Sequence, residues 1–164
     1  MEQENFMNPM EENKLPTALN VLTILTFIGS GIGLISSCYN FFAADKQVAN
    51  MEDALTKMDK APEFMKNMIN QETLEMTKTM AANKFPILIF GLVGIILCVM
   101  GALQMRKLAM QGYYLWLIGE ILPVIASVIF IGVGIFKGIA GIFLVIFLLV
   151  FIILYTVQRK HLKN

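Results

Sequence analysis

The chain has 164 residues, 57% of them hydrophobic and 15% charged, with a net charge of +1. So little charge cannot coat a water-soluble domain of this length. The near-neutral balance, with no basic stripe interleaved with aromatics, argues against nucleic acid as a partner.

Taken in chain order, residues 1–14 are rich in Glu, Asn and Met and are expected to be polar and disordered. No charge then appears from Leu15 to Ala44. A helix needs about 20 apolar residues to cross about 30 Å of hydrocarbon, so a first span is predicted over about 17–42. It does not read as a cleaved leader. Acidic residues (Glu2, Glu4, Glu11, Glu12) precede it, and Phe42 stands where a cleavage site needs a small side chain. Within it, Thr26, Gly29, Gly33, Ser36, Ser37 and Asn40 recur at helical spacing.

The polar segment 45–84 has no glycine and is rich in helix formers. Two short helices are predicted, about 46–60 and 62–82, with Pro62 opening the second. Met51, Leu55 and Met58, then Phe64, Met65, Met68, Ile69, Met76 and Met80, give each an apolar stripe. The six methionines lack a Cys or His companion, so they read as adaptable packing surface rather than a soft-metal site.

After a break at Lys84-Phe85-Pro86, span two is predicted over about 86–105. Gly91, Gly94, Cys98, Gly101 and Ala102 line one side of it. Helices in lipid associate by close approach, which small residues permit. The stripes of Gly29 and Gly33 and of Gly91, Gly94 and Gly101 are therefore expected to bring spans one and two together, a seam between two copies being the alternative. Cys38 and Cys98 differ in level by roughly 15–20 Å, well beyond the roughly 7 Å a disulfide bridges, and read as packing residues.

A basic link, 106–111, leads to span three at about 113–136, whose one charge is Glu120. It would lie on the order of 10 Å inside the nearer boundary, where a carboxylate costs at least about 2.5 kcal/mol. Pro123 cannot donate to the carbonyl of Gly119, so a kink with an open carbonyl beside an acid is predicted, a combination suited to a proton or cation. The competing reading is a hydrogen bond across the bundle. By level, the partners are Thr23 and Thr26 on span one, Tyr155 on span four, and Gln104 or Arg106 at the end of span two.

Span four is predicted over about 139–157. From Ile142 to Leu154 it carries no small or polar face, so it is expected to meet lipid or fill grooves of its neighbours. A basic tail, 159–164, closes the chain, with His161 read as solvated. One His and two unaligned Cys make no metal site, no nucleophile–base pairing is visible, and no cofactor motif is present, so an enzyme is not expected.

The fold expected is all-α: an antiparallel four-helix transmembrane bundle with a short extramembrane helical hairpin between spans one and two. Lys14, Arg106, Lys107, Arg159, Lys160 and Lys163 cluster at one set of span ends, which places both termini in the cytoplasm. Tyr113, Tyr114, Trp116 and Tyr155 would form the inner aromatic belt.

Two stretches, Val21–Gly31 and Met105–Pro123, carry a likeness. In them the chain resembles an uncharacterised family of small bacterial four-span integral membrane proteins. The resemblance implies a bacterial cytoplasmic membrane location and supplies no activity or ligand. The function expected first is a non-enzymatic structural or interaction protein or accessory subunit, touching lipid and either another membrane protein or its own copies. The alternative is a small conductor or carrier of protons, ions or small molecules centred on Glu120.

Overall fold

The computed structural model describes residues 15–57 and 62–163, without the side chains of 64, 67, 68 and 138–140. The expected disorder of residues 1–14 and the place of Met58 lie outside the described residues, as do the side chains of Phe64 and Met68. The described chain is helical, with no strand. Six helices follow one another: α1 (Thr17–Thr56), α2 (Glu63–Met68), α3 (Gln71–Ala82), α4 (Lys84–Arg106), α5 (Met110–Phe130) and α6 (Gly138–Gln158). Among the described residues α1, α4, α5 and α6 are long and apolar enough to cross a membrane.

Helix α1 departs from the expected hairpin. Its 40 residues, about 60 Å of helix, run unbroken from the apolar stretch into the polar segment. No Gly or Pro stands between Gly33 and Thr56, so nothing stops the helix at Ala44. The polar half of the hairpin is thus the upper part of α1, and α3 docks back onto it. Leu74 and Ala44 are buried there, and Lys78–Glu52 (3.0 Å) and Lys84–Asp45 (2.8 Å) bridge the elements. The neighbouring Glu52 carboxylate holds the Lys78 ammonium above the usual lysine range.

The helix expected over 62–82 is two. Ile69 is extended, and the Oδ1 of Asn70 accepts from the Thr73 N–H at 2.8 Å, capping α3. Pro86 falls in the first turn of α4, where a missing N–H breaks no helical bond, so the expected break moves back to Asn83. Helix α5 continues through Pro123 without interruption but ends at Phe130 instead of 136. Gly132 (φ +100°) turns the chain, and a 3-10 turn, Val133–Phe136, leads into α6.

Successive long helices run antiparallel. Helix α1 meets α4 through Phe41 and Phe85, whose rings are 5.0 Å apart, and through Gly33 beneath the side chain of Ile95. Helices α4 and α5 approach far more closely. A Cβ on Gly101 would lie 2.5 Å from the Trp116 nitrogen and 2.6 Å from the Gly112 carbonyl oxygen. A Cβ on Gly94 would lie 2.5 Å from the Pro123 ring and 2.8 Å from the Gly119 oxygen. Gly112 and Gly119 return these contacts to Gly101 and Gly94. The small-residue stripe of α4 therefore seats Gly94 and Gly101 against α5, not against α1 as expected. Only Gly91 turns towards α1, where a Cβ would sit 3.6 Å from Ser37 Oγ.

The end of the bundle where Leu15 and Lys163 lie is densely packed. Leu19, Leu22, Met105, Tyr113, Trp116, Tyr155 and Leu162 form one buried cluster there. Leu162 belongs to the tail, which is not simply solvated. The Lys163 N–H donates to the Leu108 carbonyl (2.7 Å), and the Met110 N–H donates to the Lys163 carbonyl (2.9 Å). The tail is thereby clasped to the α4–α5 connection.

Candidate functional site

Above this cluster the bundle is hollow. A cavity of about 560 Å³ lies between α1, α4, α5 and α6, and Glu120 is on its wall. Its existence follows from what α1 lacks. A Cβ added at Gly29 would meet nothing within 4 Å, and Ser30 beside it carries only a small side chain. The small residues of α4 draw backbones together, whereas Gly29 and Ser30 leave a space that no neighbour fills.

The floor of the cavity is sealed. Thr26 Oγ1 on α1 and Tyr155 Oη on α6 share a 2.7 Å hydrogen bond. The Tyr155 ring packs 4.1 Å from that of Trp116, and both residues are buried. Thr26 and Tyr155, two of the expected partners of Glu120, thus satisfy each other. Thr23 donates to the Asn20 carbonyl at 2.9 Å. Arg106 is exposed at the end of α4, and Gln104 Oε1 is buried without a partner among the described residues. The Cys98 thiol, which lines the same cavity, donates to the Trp116 carbonyl at 3.8 Å.

The carbonyl of Gly119, which Pro123 leaves without a donor, points into the α4–α5 seam against Gly94. There a glycine Cα–H is its neighbour, a weak donor that suits a carbonyl without an N–H. The expected pairing of an open carbonyl with the acid, as a joint cation site, is therefore not assembled.

The fourth wall is α6. Phe143, Phe147 and Phe151, at spacing i, i+4, i+8, line the cavity. Phe143 is nonetheless 70% exposed and Phe147 65%, so this wall opens to the outside of the bundle. Helix α6 is fixed at its ends only. A Cβ on Gly141 would lie 2.5 Å from the Phe136 backbone, and Tyr155 is buried. No side chain between them is buried.

Of the residues singled out from the sequence, Glu120, Gly119, Pro123, Thr26, Gly29 and Gly94 surround this one cavity, with Tyr155 beneath it. Gly33, Gly91, Gly101 and Arg106 lie elsewhere. Sequence reasoning missed Cys98, Ser30 and the three phenylalanines as site residues. The phenylalanine spacing was the available signal, hidden within a stretch apolar on every face.

No group of three or more His, Cys, Asp or Glu side chains converges among the described residues. Comparison with known proteins finds no matching family model, no similar curated protein and no similar solved structure.

Proposed function

We propose that this chain is a non-enzymatic integral membrane protein that takes a small, largely apolar molecule from the bilayer into the cavity beside Glu120, as a binder or carrier. The observation that carries this reading is the cavity itself: about 560 Å³, walled by apolar and aromatic side chains with one acidic group. That is the make-up of small-molecule sites, which are mostly apolar with few placed polar groups. In this reading the four long helices cross the membrane and both termini are cytoplasmic. Arg106, Lys107, Arg159, Lys160 and Lys163 at the span ends support that orientation. The resemblance noted in the sequence supports a bacterial cytoplasmic membrane.

Gly29→Phe provides the test, because Gly29 lies on the cavity wall with open space before its Cα and a ring there narrows the site. The purified protein in nanodiscs is expected to bind the neutral fluorophore N-phenyl-1-naphthylamine saturably, and Gly29→Phe to lose that binding while keeping its melting temperature. Equal, saturable binding by both proteins would remove the reading.

One observation favours a second role, as an interaction or accessory subunit. The upper part of α1, with α3 docked on it, stands beyond the apolar bundle as a stiff helical arm. Crosslinking from residues 46–56 in native membranes is expected to capture a partner or a second copy if this role is real; recovery of uncrosslinked monomer alone counts against it.

A further inference from the structure

We propose that the ligand is a lipophilic organic cation: a single positive charge on nitrogen or phosphorus, shielded by apolar substituents. The inference rests on the binding reading above and adds the chemical class.

Three features of the cavity select this class. The first is charge. Glu120 lines the cavity, and no Lys, Arg or His does. The Cys98 thiol on the same wall supplies no positive charge. A carboxyl held away from water takes up a proton unless a cation stands beside it, so a bound cation is what lets Glu120 stay ionised. The second is the facing wall. Phe143, Phe147 and Phe151 present aromatic rings from α6, and ring faces attract organic cations whose charge is weakly hydrated. A bare metal ion is usually held by several His, Cys, Asp or Glu ligands, and no group of three or more of these converges among the described residues.

The third feature is access. Towards the termini, Trp116, Tyr155, Leu22, Leu19 and Met105 close the bundle. Towards the other end, Ser127 donates to the Pro123 carbonyl at 2.8 Å, the Phe90 and Phe130 rings meet at 5.9 Å, and the Ile95 side chain lies over Gly33. The open side is the flank of α6, with Phe143 and Phe147 on it. A ligand entering there arrives through hydrocarbon, so it must be soluble in lipid despite its charge. Hydrated ions fail this condition. Zwitterionic lipid headgroups meet the carboxylate with a cation but bring a phosphate that finds no basic partner on the cavity wall.

The experiment uses the full chain in nanodiscs and the isosteric pair tetraphenylphosphonium and tetraphenylborate, which share a shape and differ in sign. Specific binding is the saturable component lost in Gly29→Phe. Wild type is expected to bind the phosphonium specifically and the borate not at all. Glu120→Gln, which keeps size and hydrogen bonding, is expected to weaken the phosphonium on the order of tenfold or more while still binding N-phenyl-1-naphthylamine. Phe147→Leu, at an exposed position that tolerates change, is expected to weaken the phosphonium several-fold. Should Glu120→Gln fail to fold, the phosphonium–borate contrast in wild type decides alone. Equal specific binding of both ions, or undiminished phosphonium affinity in Glu120→Gln, overturns the cation assignment and leaves the cavity reading standing. Loss of specific binding for the neutral fluorophore and both ions overturns the two together.

Discussion

Gly101 and Gly29 are both glycines inside apolar helices, yet a side chain would mean opposite things at the two positions. At Gly101 a methyl would press on the Trp116 nitrogen and the Gly112 carbonyl, both backbone atoms that cannot step aside. Gly101→Ala is therefore expected to destabilise the fold by about 1–3 kcal/mol, the usual cost of overpacking. Gly29→Ala should leave stability within about 0.5 kcal/mol, as substitutions away from packed features do. Thermal unfolding of the two variants in one detergent checks the contrast. Nothing in the sequence distinguishes the two positions, because each belongs to a small-residue stripe at helical spacing. Which stripe meets a backbone and which meets a void depends on how far the neighbours stand off. Gly94 and Gly101 face Gly119 and Gly112 on α5, so backbones meet there, whereas Gly29 has no such counterpart.

At the scale of elements, helix existence was readable and helix ends less so. Apolar runs defined α4 and α6 to within about two residues, because Asn83 and Lys137 sit where charge and polarity return. The polar segment was harder. Its lack of glycine correctly implied helix, but the same lack removed the signal for where α1 stops. The division between α2 and α3 was legible in principle: Asn70 followed by Thr73 is a capping signal, and its side chain accepts from the Thr73 N–H. Asn70→Ala is expected to cost about 1 kcal/mol locally. Amide hydrogen exchange over 71–76 should quicken while that of α4 and α5 is unchanged; uniform protection in the variant would show that the cap contributes nothing.

For the whole molecule, the helix pair α4–α5 is the rigid part and α6 the loosely held one. Two glycine contacts seven residues apart lock α4 to α5, whereas α6 is secured near Gly141 and from Phe151 onward. The lower anchor includes Thr26–Tyr155, Tyr113–Thr156 at 2.9 Å, Arg159–Tyr114 at 3.0 Å and the clasp of Lys163 on the α4–α5 connection. Removing residues 159–164 takes away the clasp and buried Leu162. It is expected to lower the melting temperature and to raise hydrogen exchange in α6 more than in α4 and α5. Equal exchange in all three helices would contradict the division. The cavity was not legible at this scale from sequence. Glu120 could be recognised as anomalous, but the space in front of it arises from four helices at once, and only Gly29 and Ser30 hint at it.

The clasp closes a ring of chain. Its two bonds join Lys163 to Leu108 and Met110, so the stretch 108–163 begins and ends at one point. Helices α5 and α6 both lie inside this ring, and with them Glu120 and the three phenylalanines, whereas α1 and α4 lie outside it. Sliding α6 along the bundle therefore drags the start of α5 with it, and the acid and the aromatic wall opposite are tethered as one circuit.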